Sequence, residues 1–106
     1  MTPYDRDWQG MNDFAIHPAA QTEYEEASDW YAKQNATTAK RFASEVEAAI
    51  ETIRKRPGSY SRLDETHYFY LLNKFPYFVA YRYTSEQVTI VAIRHTSRAE
   101  SGWTER

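Results

Sequence analysis

The sequence predicts an α+β fold: an N-terminal strand, an antiparallel αα-hairpin, then a three-stranded antiparallel β-meander. Residues 18–53 carry apolar side chains mostly three or four apart, the period of a helix face, interrupted once near Asn35. Residues 67–95 carry three runs rich in Tyr, Phe, Val and Ile, separated by short turns. Helices followed by strands, without regular alternation, indicate α+β rather than a βαβ fold.

Asp13-Phe14-Ala15-Ile16 alternates briefly and reads as a short first strand. Pro18 then suits a first helical turn, where its missing N–H has no partner to lose. Ala20, Tyr24, Ala27 and Tyr31 form the apolar stripe of a helix ending near Asn35, with Glu23, Glu25, Glu26 and Asp29 on the remainder. A second helix, expected to be capped by Thr37 or Thr38, carries the stripe Ala39, Phe42, Ala43, Val46, Ala49, Ile50, Ile53. Arg54, Lys55 and Arg56 suit its C-terminal dipole, and Pro57-Gly58 ends it. So short a connection turns the helices antiparallel.

After a loop, residues 67–73, 77–84 and 87–95 read as strands with turns at Phe75-Pro76 and Ser85-Glu86. Two-residue turns place Lys74 opposite Tyr77 and Thr84 opposite Gln87. Because side chains alternate, one face then receives Tyr68, Tyr70, Leu72, Tyr77, Val79, Tyr81, Tyr83, Val88, Ile90, Ala92 and Arg94. The other receives Phe69, Leu71, Phe78, Ala80, Val91 and Ile93 at its centre, with His67, Asn73, Arg82, Thr89 and His95 around them. A single helical hairpin covers one face only. The tyrosine-rich face suits that cover, and the second is expected to be an apolar surface for a partner. The competing reading is that the N-terminal segment or the C-terminal tail folds back over it.

The length of 106 residues allows one core; residues 11–106 are expected to form a single domain, with 1–10 a flexible extension before a possible start at Met11. No apolar run approaches the ~20 residues a membrane helix needs. The absence of cysteine excludes disulfides and thiolate metal sites and fits a cytoplasmic location. The net charge of -2 conceals an asymmetry: residues 1–53 carry four basic against ten acidic side chains, and 54–106 carry nine against five. A basic half suits an acidic partner or a polyanion; two oppositely charged solvated surfaces explain it equally well.

His95, with Arg94 and Arg98 beside it, is the main candidate for chemistry. A general acid–base flanked by cations is a sketch of metal-free RNA cleavage, and a backbone-capping histidine is the plainer alternative. His17, His67 and His95 have no zinc-ligand spacing, three glycines form no phosphate loop, and no metal or cofactor is expected. Trp103 either stacks on a base or anchors the tail to the domain, the second being favoured.

Taken in order, "HPAAQTEYEEASDWYAKQ", "AKRFASEVEAAIETIRKRPGSY", "FPYFVAYR" and "RHTSRAESGWTER" resemble the RelE/ParE toxin superfamily of type II toxin–antitoxin systems. The resemblance spans residues 14–106. It implies a β-αα-βββ fold and a cytoplasmic toxin of a plasmid-stabilisation type, wrapped by an extended antitoxin segment. Phe69, Leu71, Phe78, Ala80, Val91 and Ile93 are the expected antitoxin surface. RelE-like members cut mRNA on the ribosome with basic residues on the sheet and a C-terminal arginine and tyrosine. Those sheet positions fall near Phe69, Leu71 and Phe78, all apolar here. Arg98 matches the C-terminal arginine, Trp103 stands near the tyrosine, and an arginine often found at the second strand is replaced by His67 or Tyr68. The chain is therefore more similar to ParE-like members, which inhibit DNA gyrase. Arg98, Trp103 and Arg106 are the candidate target-binding residues, and His95, Arg94 and Arg98 are catalytic only on the nuclease alternative. A non-toxic antitoxin-binding module is the remaining reading.

Overall fold

The structure is a computed structural model that describes residues 13–99 and 102–106; the expected extension over residues 1–10 lies outside them. Strand β1 (Asp13–Ile16) leads into helices α1 (Pro18–Gln34) and α2 (Ala36–Lys55). Strands β2 (Ser61–Arg62), β3 (Tyr68–Leu71), β4 (Tyr77–Tyr83) and β5 (Gln87–His95) follow. They form one sheet in the order β1-β5-β4-β3-β2. The α+β fold is the predicted one with two additions. β1 runs parallel to β5, so the sheet is mixed rather than purely an antiparallel meander, and two residues of the expected loop pair with β3.

His17 starts α1: its Nδ1 accepts from Ala19 N–H at 3.0 Å, and Pro18 occupies the first turn. Asn35 serves both helices. Its N–H donates to the Tyr31 carbonyl at 2.8 Å, closing α1, while its Oδ1 accepts from Thr37 and Thr38 N–H at 2.8 and 3.1 Å. The cap of α2 is thus Asn35, not Thr37 or Thr38, because its extended backbone reverses the chain within one residue. The reversal packs Tyr31 and Tyr24 on Phe42, with ring centroids 5.1 and 6.1 Å apart.

Phe42, Val46, Ala49, Ile50 and Ile53 of α2 are buried against Val79, Tyr81, Val88, Ile90 and Ile93 of the sheet. Pro57 disfavours a helical conformation at Arg56, which leaves the helical region, and α2 stops. The Pro57 carbonyl then accepts the buried Tyr81 hydroxyl at 2.6 Å, tying the end of α2 to the middle of β4. Burial raises the Tyr81 phenol pKa well above its usual value, so this hydroxyl stays a donor.

The strand registers differ from the sequence expectation in two informative ways. β3 and β4 are joined by a five-residue connection, residues 72–76, with Leu71 opposite Phe78, instead of a two-residue turn. The Glu45 carboxylate on α2 accepts the N–H groups of Asn73 and Lys74 and so holds this longer loop. The register moves by two residues, an even number, and every β3 side chain keeps its predicted face. Between β4 and β5 the predicted register holds from Tyr83↔Val88 to Tyr81↔Ile90, then slips by one so that Ala80 meets Ala92. Val91 is the extra residue of a β-bulge. An odd slip reverses faces, so Ile93 turns into the helix-side core and Ala92 joins the second face, contrary to their predicted placement.

Replacing Asn35 by Ala is expected to cost about 1 kcal/mol of unfolding free energy in urea titration with an unchanged m value, whereas Thr37→Ala and Thr38→Ala each cost less than about 0.5 kcal/mol.

Candidate functional site

The second face of the sheet is where the sequence places a partner, and its own tail occupies most of it. Trp103 is 1% exposed and shares a cluster with Phe78, Ala80, Val91 and Ala92. Its ring lies 6.0 Å from Phe78 and meets His67 edge-on at 5.6 Å, while its indole N–H donates to the Ala99 carbonyl at 3.0 Å. The tail-anchoring reading of Trp103 therefore describes its place here. Gly102 makes this approach possible, since its φ of +100° is a conformation that side chains disfavour.

Of the six residues expected to form an exposed apolar surface, Phe78, Ala80 and Val91 lie beneath the tail and Ile93 faces the helices. Phe69 is half-buried and Leu71 is 54% exposed. What stays open is an apolar groove of about 200 Å³ beside Trp103, lined also by Leu63, Phe69, Leu71 and Phe78. Leu63, 47% exposed, lies in a loop without periodicity, and no pattern in the sequence points to it.

The tail is fastened through Glu23. On the sheet, β1 ends at Ile16, which leaves the backbone groups of β5 beyond Ile90 without a neighbouring strand. Glu23 of α1 accepts the Ile93 N–H at 3.0 Å and Arg94 Nε at 2.8 Å, and Arg106 donates both terminal nitrogens to it at 3.0 and 2.9 Å. Arg106 also donates to the Val91 carbonyl at 2.9 Å, and its own main-chain oxygen accepts from Arg82 at 2.9 Å. One carboxylate and one guanidinium thus satisfy the exposed edge of β5 and hold the end of the tail. Burial alone raises the Glu23 pKa, but the hydrogen bonds from Arg106, Arg94 and Ile93 outweigh it and leave it below 4.5. The sequence assigns Glu23 to a solvated helix face; its partners lie 70 to 83 residues away, beyond any local pattern.

His95, Arg94 and Arg98 do come together, lining a cavity of about 600 Å³ with Glu26, Trp30 and Tyr77. The state of each group limits its chemistry. His95 Nδ1 accepts the Ser97 N–H at 3.0 Å, capping a 3-10 turn at Thr96–Arg98, so the neutral ring carries its proton on Nε2. An imidazole in that tautomer has no free lone pair with which to take a proton. The Arg94 charge faces Glu23, and Arg98 is exposed. Arg82 lies opposite Thr89 as predicted and is separated from His95 by the length of the strand. Among the described residues, no group of three or more His, Asp or Glu converges as metal ligands, and no helix is long and apolar enough to cross a membrane.

A family model described as "ParE toxin of type II toxin-antitoxin system, parDE" matches residues 14–100. A solved structure from the chromosomal ParDE toxin–antitoxin system of P. aeruginosa is similar in fold, with a TM-score of 0.71 at 13% identity over 81% of this chain and 97% of that one. No curated protein sequence matches significantly.

Because the Glu23 pKa is lowered on folding, its stabilising contribution is complete above about 4.5 and is lost as pH falls through the lower folded value. Urea midpoints followed from about pH 6 to about pH 3 are expected to fall less steeply in Glu23→Gln than in the parent, although the lowered Asp64 pKa persists in both.

Proposed function

The chain belongs to the ParE toxin family of type II toxin–antitoxin systems, and from that premise we propose that it acts in the cytoplasm as a ParE-like toxin, inhibiting DNA gyrase and neutralised by a cognate antitoxin. The observation that carries this reading is the chemistry of the second sheet face. A nuclease of the RelE kind stabilises a scissile phosphate with cations, yet Phe69, Leu71 and Phe78 present hydrocarbon there. Of the remaining cations near the sheet end, Arg94 and Arg106 share the charge of Glu23. The groove margin of Leu63, Phe69 and Leu71 is the apolar surface left for an antitoxin; Phe78, Ala80 and Val91 become available to it only where the tail gives way. Among the target-binding candidates, Arg98 is exposed, whereas Trp103 and Arg106 are engaged within the fold.

One observation favours a ribosome-dependent nuclease instead: His95, Arg94 and Arg98 line one cavity with an exposed aromatic, Trp30. Ser97 and Glu23 already engage two of these three groups, which places that reading second.

Purified protein at saturating concentration is expected to block gyrase supercoiling or trap gyrase-cleaved DNA while cellular mRNA stays intact; normal supercoiling would refute the proposal. Codon-phased mRNA cuts abolished by His95→Ala would establish the nuclease. Expression without growth arrest, with antitoxin binding retained, would leave a binding module. Leu71→Glu is expected to weaken binding of a cognate antitoxin by roughly tenfold or more, about 1.4 kcal/mol, with gyrase inhibition preserved.

A further inference from the structure

Several cations of this chain are balanced inside it: Arg54 by Glu51, Arg94 and Arg106 by Glu23. Where α1 turns into α2 the situation reverses. Lys40 and Arg41 of α2 and Lys74 of the β3–β4 connection are exposed and line one cavity of about 620 Å³. None of the three has an ion pair or a side-chain hydrogen bond among the described residues. Thr37, Thr38 and Ser44 add hydroxyls at three- or four-residue spacings from the two helical cations, on the same side of α2. The helix end itself is not what the cavity offers, since Asn35 already takes the Thr37 and Thr38 N–H groups. The cavity's carboxylate, Glu45, accepts the Asn73 and Lys74 N–H groups, the latter at 3.1 Å. Phe75 packs against Phe42 and Tyr31, with centroids 5.3 and 5.1 Å apart. Held on both sides of its backbone, the connection keeps Lys74 beside Lys40 and Arg41. Three cations against one carboxylate leave the cavity positive, and their mutual repulsion is relieved when a multivalent anion enters.

We propose that this end of the helical hairpin is a contact site for the phosphate backbone of duplex DNA. Lys, Arg, Ser and Thr side chains bind phosphate oxygens without reading bases, and they make up most of the wall. No platform for an unstacked base is present in it: Phe75 is half-buried and occupied by Phe42 and Tyr31. Single strands, which gain from stacking, are therefore the poorer fit. A free polyphosphate offers the same oxygens, and the experiment separates it from DNA. The choice of duplex DNA rests on the gyrase reading, because a gyrase inhibitor meets its target on DNA. The contact is measured without gyrase, so each reading can fail while the other stands.

Fluorescence anisotropy of a labelled duplex of arbitrary sequence tests this with the full chain. Three neutralised phosphates give a slope of log K against log salt of about −2.7, a fall of about fortyfold between about 50 and 200 mM. Lys74→Gln is expected to reduce the slope to about −1.8 and Lys74→Arg to restore it, while Lys55→Gln, at the other end of α2, leaves it unchanged. Lys40→Gln, Arg41→Gln and Lys74→Gln combined are expected to weaken binding at least about tenfold at about 50 mM salt. Urea midpoints show whether the combined variant keeps its fold; if it does not, the single substitutions decide. No binding by the parent at about 50 mM salt, or a slope that the Gln substitutions leave unchanged, overturns the proposal. Tighter binding of a single strand or an RNA duplex of the same length overturns it too. So does tripolyphosphate that binds as tightly as the duplex at about 200 mM salt, which assigns the cavity to a free anion.

Discussion

One inserted residue, Val91 in the bulge of β5, controls how the rest of this molecule is assembled. It turns Ile93 toward the helices, where a large side chain is needed, and sets Ala92 opposite Ala80 on the other face. Two small side chains facing each other leave the room that an indole requires. In an unbulged strand Ile93 would stand on that face instead, and close packing leaves no space for both it and Trp103. The bulge thus divides these four residues, sending Ile93 to the helix-side core and Ala80, Val91 and Ala92 to the tail socket.

Glu23 joins these two halves. A carboxylate with little solvent loses its hydration, and such a group is retained only when its lone pairs are matched. Here the matches are specific: a backbone N–H of β5, Arg94, and Arg106 at the end of the tail. Buried ion pairs contribute little net stability compared with a hydrophobic substitute, so the arrangement is better read as positional. It completes a strand edge that β1 is too short to cover and fixes where the tail crosses the sheet.

These packing facts bear on function through charge and exposure. The face that would carry cations in a phosphate-cleaving relative is hydrocarbon here, partly closed by the tail and partly open at Leu63 and Leu71. The basic half of the chain does not produce a single basic surface, because Arg94 and Arg106 turn inward to a carboxylate of the acidic half and Arg82 is bound to the tail backbone. A charge asymmetry that suggests a polyanion partner on paper is, in part, an internal bond.

Much of the architecture was legible in the residues. The helical stripes from Ala20 to Ile53, the turn before β5 and the alternation of β3 and β4 are local patterns with fixed periods, and the structure follows them. The five-residue connection differs from the two-residue turn the sequence predicts, yet harmlessly, because an even shift preserves the faces. Bulges, caps shared between helices and ion pairs 70 or more residues apart carry no period, which is why Asn35, Val91, Glu23 and Leu63 escaped the reading. Sequence alone determined that two faces of the sheet would be apolar and that the helices could cover one. Which residues line each face near the end of β5, and that the tail closes most of the second, only the tertiary structure decided, since a strand's facing depends on register along its whole length and an extra residue changes it without changing composition.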